Sequence, residues 1–170
     1  MKTLRHALPR TAALIVLAAS LTACGFHLRG SNGTFTMPFQ SIYLAFPDTS
    51  PLGVELKRNL RGGDTKIAEA PEQAQARFDV VSESRGKSIL SLNSQGRVRE
   101  YLLTYTLVFR VRDAAGAEML GPTEISLKRS ITFNETEVLA KESEEALLYR
   151  EMQSDLVQQI MRRLAAIKPA

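Results

Sequence analysis

Apolar and polar positions along this chain follow two periods, and the switches between them predict four strands and two helices. From Gln40 to Phe46, Ile42, Leu44 and Phe46 alternate with Ser41, Tyr43 and Ala45, the period of a strand with one better-buried face. Pro47-Asp48-Thr49-Ser50 turns the chain. Ser50 is placed to cap a helix whose first residue, Pro51, lacks only a donor that would go unused there. Leu52, Leu56 and Leu60 then share a stripe at spacing four, Glu55, Lys57, Arg58 and Arg61 face away, and Gly62-Gly63 ends the helix. Asp64 to Ala76 is polar and alanine-rich with Pro71 inside it, and reads as a connection.

The second half begins with a strand-like run from Arg77 to Leu92, in which Gly86 predicts a bulge or bend. Ser94-Gln95-Gly96 signals a hairpin. Beyond it Tyr101, Leu103, Tyr105, Leu107, Phe109 and Val111 occupy one side of a strand and Leu102, Thr104, Thr106, Val108, Arg110 and Arg112 the other. Asp113 to Gly116 turns again, and after Gly121-Pro122 a strand carries Ile125, Leu127, Ile131 and Phe133 against Ser126, Lys128, Ser130, Thr132 and Asn134. Ser143-Glu144-Glu145 opens a final helix with an apolar stripe at Leu148, Met152, Leu156, Ile160, Leu164 and Ile167. Acidic residues at its start and Arg162, Arg163 and Lys168 at its end suit the helix dipole. The order predicts an α+β two-layer sandwich, with two helices packed on one face of a mainly antiparallel four-stranded sheet and a polar face left open.

The segment before these elements has a different logic. Lys2, Arg5 and Arg10 precede an apolar run centred on Leu14 to Ala19, and Leu21-Thr22-Ala23-Cys24 follows. A basic start, a short apolar stretch and small residues make a secretory leader, and the run falls short of the roughly 20 apolar residues that span a bilayer. The four residues ending at Cys24 resemble the lipobox of bacterial lipoproteins, which implies removal of residues 1–23 and acylation of Cys24. Each buried methylene adds about 0.8 kcal/mol and one chain binds only marginally, so several chains would make a lasting anchor. Residues 24–38 then read as a lipidated tether and residues 39–170 as one domain.

Charge and composition narrow the function. Three of the positive charges behind the formal +4 lie in the leader, so the remainder is nearly neutral and the nucleic-acid reading of a basic protein fails. The single cysteine leaves no disulfide to form. His27 is the only histidine after the leader and sits on the tether, which argues against Ser/His/Asp catalysis. No phosphate loop or metal-ligand spacing occurs, and no cofactor is expected.

Two basic features stand out. Arg97 and Arg99 follow the hairpin tip and share the register of Tyr101, with Arg85 and Lys87 on the preceding strand. Residues 77–112 hold seven basic and three acidic side chains, whereas 135–155 hold two basic and seven acidic. Guanidinium forks suit phosphate and carboxylate, so phosphorylated sugars are candidate ligands. Ordinary solubilising charge at strand ends is the competing explanation. Lys141 stands just before the expected last helix, where free N–H groups favour anions.

Taken together, Cys24-Gly25-Phe26-His27-Leu28-Arg29, Glu100-Tyr101, Arg129-Ser130 through Phe133-Asn134 to Leu139-Ala140-Lys141, Glu151-Met152 and Gln159 to Leu164 resemble the LPS-assembly lipoprotein (LptE) family of Gram-negative outer membranes. The resemblance implies a non-enzymatic lipoprotein of the outer membrane that plugs the β-barrel translocon LptD, helps it assemble and contacts lipopolysaccharide. It also implies lipopolysaccharide contacts at Lys141 and at the hairpin tip. There Ser94 aligns with the family's basic position, which passes that role to Arg97 or Arg99. An auxiliary lipoprotein of another envelope system, such as phospholipid transport, is the alternative.

Overall fold

The structure is a computed structural model and describes residues 35–168; Cys24, His27, the leader and the start of the tether lie outside them. Strand β1 (Ser41–Ala45), helix α1 (Pro51–Arg61), strands β2 (Lys66–Ile67), β3 (Ala76–Leu92), β4 (Val98–Asp113) and β5 (Glu118–Thr132), and helix α2 (Val138–Ala165) follow one another, with short 3₁₀ turns at Pro71–Gln73 and Glu135–Glu137. The strands form one sheet in the order β2-β1-β3-β4-β5. Both helices cover the same face, as expected of an α+β sandwich.

The sheet corrects the expected mainly antiparallel four-stranded sheet in detail: it has five strands, and it is mixed. β1 runs parallel to both β2 and β3, while β3, β4 and β5 are antiparallel. The cause is α1, which carries the chain back across the face so that the next strands re-enter in the direction of β1. β2 arises inside the segment read as a connection, where Lys66 N donates to Gln40 O at 2.9 Å and Ala68 N to Ile42 O at 2.9 Å. Two residues are too few to show an alternation.

Helix α1 forms as its sequence dictates. Ser50 accepts a bond from Gly53 N at 3.1 Å, Pro51 leads, and Leu52, Leu56 and Leu60 are buried. Gly53 lets the helix close onto the end of β1, since a Cβ there would lie 2.7 Å from Cβ of Phe46. Phe46, Phe78 and Phe109 stack beneath it with centroids 5.5 and 4.8 Å apart. Phe39 is buried, and Phe35 and Met37, inside the stretch read as tether, pack on the same core.

The bulge expected at Gly86 falls elsewhere. Gly86 pairs in register with Thr104, and the ladder shifts between Val80 and Ser82 and again after Ile89. The first shift decides the site. Phe78 and Val80 pair with Val111 and Phe109 on the helix face, but past the extra residue Glu83, Arg85 and Lys87 take that face, opposite Leu107, Tyr105 and Leu103. The half of β3 nearest the hairpin therefore offers α2 a charged surface.

β4 behaves as its alternation predicts, with Leu103, Tyr105, Leu107, Phe109 and Val111 all buried. β5 begins earlier than expected and runs through Gly121-Pro122, with a register shift opposite Phe109 to Val111. Its edge position tolerates a proline that cannot donate to a ladder. Helix α2 also begins earlier, at Val138 rather than Ser143, because Asn134 accepts a bond from Thr136 N at 3.2 Å and starts a 3₁₀ turn that leads directly into it. From Met152 onward its stripe is buried; before Met152 none of its residues is.

Candidate functional site

The hairpin between β3 and β4 and the first turns of α2 meet at one end of the sheet. Asn93 shapes the hairpin turn: its Oδ1 accepts from Gln95 N at 3.0 Å and Arg97 N at 2.9 Å, and its own N–H donates to Arg97 O at 2.8 Å. Ser94 and Arg99 are exposed there. Arg97 reaches Glu135, Nη1 to Oε2 3.5 Å.

Phe133 joins the two parts. Its N–H donates to Arg99 O at 2.8 Å, and its ring meets Tyr101 edge to face at 5.3 Å. On one side it lines a recess of about 280 Å³ with Arg97, Val98 and Asn134; on the other it lines one of about 230 Å³ with Lys87, Tyr101, Val138 and Lys141. Arg97 and Lys141 thus lie on either side of Phe133, while Arg99 lines neither recess. Lys141 lies inside the first turn of α2, not before it, and its Nζ donates to Glu144 Oε2 at 2.9 Å and Thr132 Oγ1 at 3.1 Å.

Two basic residues deeper under α2 belong to the same surface. Lys87 Nζ sits 4.4 Å from the Tyr101 ring centroid and donates to Glu145 Oε2 at 2.5 Å. Arg85 lies 4.4 Å from the Tyr105 centroid and 5.6 Å from that of Tyr149, with Nη2 donating to Tyr105 Oη at 3.1 Å and Gln153 Oε1 at 3.0 Å. Tyr105 in turn donates to Glu83 at 2.6 Å. Burial, aided by that acceptor, pushes the Tyr105 phenol up to about 12. Sequence reasoning noted Arg85 and Lys87 without joining them to Lys141. The ladder shift that turns them under the helix leaves no signature beyond an isolated Val81.

The charge separation read from the sequence is largely closed by the fold. The acidic segment leading into α2 lies over the basic hairpin: Glu135, in the 3₁₀ turn, pairs with Arg97 and Glu145 with Lys87, while Lys141 pairs with Glu144 of its own helix. Ile89, Leu90 and Leu92 on the hairpin and Val138 and Leu139 on α2 remain exposed, Leu139 by 80%. No cluster suited to a metal occurs among the described residues. What this end offers is cations, aromatic faces and apolar side chains, a chemistry of binding.

Known proteins share this fold and much of the chain. Residues 39–164 match the family model for LptE, lipopolysaccharide assembly. The LPS-assembly lipoprotein LptE of Pectobacterium atrosepticum is 31% identical over 156 residues, covering 89% of this chain and 82% of its own, and that of Photorhabdus laumondii is 27% identical over 161, covering 92% and 86%. Among solved structures, an uncharacterized lipoprotein B from Nitrosomonas europaea superposes with a TM-score of 0.71 at 38% identity, covering 84% of this chain and 91% of that one. The rare lipoprotein B from Shewanella oneidensis does so with 0.66 at 28%, covering 74% and 94%. The chain belongs to the LptE family of lipopolysaccharide assembly, whose members are non-enzymatic lipoprotein assembly factors.

Proposed function

We propose that this protein is an outer-membrane lipoprotein subunit of the lipopolysaccharide translocon, seated in the LptD β-barrel as plug and assembly factor. In this reading the leader is removed, acyl chains on Cys24 supply the anchor, and the domain faces the periplasm and the barrel lumen. No helix among the described residues is long and apolar enough to cross a membrane. A lipid tail is therefore a fitting means of attachment.

The observation that carries the ligand part is the pairing of cations with exposed apolar residues at one end. Arg97 and Lys141 lie on either side of Phe133, while Ile89, Leu90, Leu92 and Leu139 stand free around the hairpin and the start of α2. A phosphorylated, acylated glycolipid presents the complementary groups. The glutamates paired with Arg97, Lys141 and Lys87 act as exchangeable counter-ions, so that a ligand phosphate replaces a carboxylate instead of meeting a bare charge. Arg99, exposed on the same strand, adds attraction at the rim.

The open face of the sheet supports the plug role. Ser82, Ser84, Ser88, Thr104, Thr106, Ser126 and Ser130 give it short hydroxyls suited to a wetted wall. Affinity purification of the full chain from detergent-solubilised outer membrane tests the assignment. Recovery of a stoichiometric β-barrel protein is the expected result, and recovery of the lipoprotein alone contradicts it.

A further inference from the structure

A second basic site lies at the opposite end of the open face, far along the strands from the hairpin. Arg77 on β3 stands directly across from Arg112 on β4, and Asp79 directly across from Arg110, all four on the side without helices. Like charges placed opposite one another destabilise a sheet. Here one carboxylate gathers them: Asp79 Oδ1 accepts from Arg77 Nε at 2.7 Å, and Oδ2 accepts from Arg112 Nε at 2.8 Å with Nη2 at 2.7 Å.

These bonds leave Arg110 out. Arg110 approaches Oδ2 only to 3.6 Å, and its Nε, shielded from solvent, has no hydrogen-bond partner. An enclosed donor without an acceptor is destabilising, and more so on a charged group. Glu118, in register with Arg112 on β5, makes no ion pair with the cluster. The side chains stay partly exposed, at 41, 38 and 27% for Arg77, Arg110 and Arg112, so the cluster is open to a ligand from the helix-free face although Nε of Arg110 is not.

Asp79 demonstrates what two oxygens can do at this spot: they serve two arginines and leave the third unserved. The group that completes the set needs more oxygens and more charge than a carboxylate has. A phosphate carries about −1.5 to −2 at neutral pH and three strong acceptor oxygens, near the charge left after Asp79 is subtracted from three arginines. We infer that Arg77, Arg110 and Arg112 form a phosphate-oxyanion seat on the helix-free face, with Asp79 as the positioning residue that holds the guanidiniums together. The seat is independent of the barrel and of the hairpin site, and takes the phosphate of a lipid headgroup or a free phosphate by the same chemistry.

The test follows the Nε–Hε resonances of Arg77, Arg110 and Arg112 in the full chain while inorganic phosphate, short-chain phosphatidic acid or acetate is added; those of Arg77 and Arg112 report binding in the Arg110 variants. Saturable movement with phosphate and not with acetate is expected, together with affinity at least about tenfold weaker in Arg110→Gln, the equivalent of one charge-assisted bond. Tighter binding of phosphatidic acid than of inorganic phosphate identifies a lipid headgroup; equal binding identifies free phosphate. Arg110→Lys, which keeps the charge but loses the fork, serves if the glutamine variant does not fold, and it too binds more weakly. A resonance that phosphate does not move, an equal response to acetate, or undiminished affinity in the folded variant overturns the inference.

Discussion

Tyr149 Oη donates a 2.7 Å hydrogen bond to the carbonyl of Gly86, fastening the first half of α2 to the far half of β3. The contact stands in for apolar packing: before Met152 the helix has no buried residue and rests on the sheet through Lys141, Glu145, Leu148 and Tyr149. The Gly86 carbonyl also accepts from Thr104 Oγ1 at 3.4 Å, and a Cβ on Gly86 would lie 2.7 Å from that hydroxyl, so a larger residue here would push Thr104 away. Replacing Tyr149 with Phe deletes the bond and little else. The expected loss is about 1 kcal/mol in urea denaturation, with faster amide exchange confined to the turns before Met152.

The other half of α2 answers to different forces. Leu156 is fully buried, whereas Leu139 is 80% exposed on the same helix. Leu156→Ala should cost about 2 to 5 kcal/mol through lost burial and a residual cavity. Leu139→Ala should change stability by less than about 0.5 kcal/mol. Thermal or urea melts of the two variants check the contrast.

Asp79 sets the acid limit of the open face. Burial raises its carboxyl pKa, but hydrogen bonds from Arg112 and Arg77 and their positive charge outweigh burial and hold it below the ordinary 3.8. The unfolded chain therefore binds a proton first as pH falls. The stabilisation is complete above the unfolded value and is lost as pH drops through 3.8 toward the folded one. Asp79→Asn should flatten the fall in stability in that acid interval, as read from denaturation midpoints at successive pH values.

Tyr105 sets an alkaline limit by the opposite sign. Its folded phenol titrates near about 12, above the ordinary 10.0, because burial and the Glu83 acceptor favour the neutral form. Between these values the unfolded chain gives up a proton that the folded chain keeps. The contribution is fully present below pH 10 and disappears as pH rises toward 12. Ultraviolet titration of tyrosinate should show two phenols ionising late, Tyr105 and Tyr149, the second also raised by burial, and Tyr105→Phe should remove the step near pH 12 while leaving that of Tyr149.

The sequence revealed the elements wherever a period ran long enough to repeat. β4 alternates from Tyr101 to Arg112, and Leu52, Leu56 and Leu60 define α1 within one helix, so both could be placed before any coordinates. β2 could not, because Lys66 and Ile67 pair through backbone groups that carry no side-chain signature. The parallel pairing of β1 was hidden for a related reason: strand direction follows from the path of α1 across the sheet, a tertiary choice. At the hairpin end, Arg97 and Lys141 were legible as charges near a turn and a helix start. Arg85 and Lys87 came under α2 only through the ladder shift beside Val81, and their aromatic partners Tyr105, Tyr149 and Tyr101 come from two other elements. Arg110 read as one of several polar residues on an open face, since its unmatched Nε depends on how Asp79 divides its two oxygens.

Equilibrium binding of purified lipopolysaccharide to the full chain tests the proposed contact between its phosphates and the cations of the hairpin end. Reversing charge at Lys141, Arg97 and Arg99 together should weaken binding by about tenfold or more at low salt, with the circular dichroism spectrum unchanged. Binding that stays at the parent level in a folded triple variant would contradict the account.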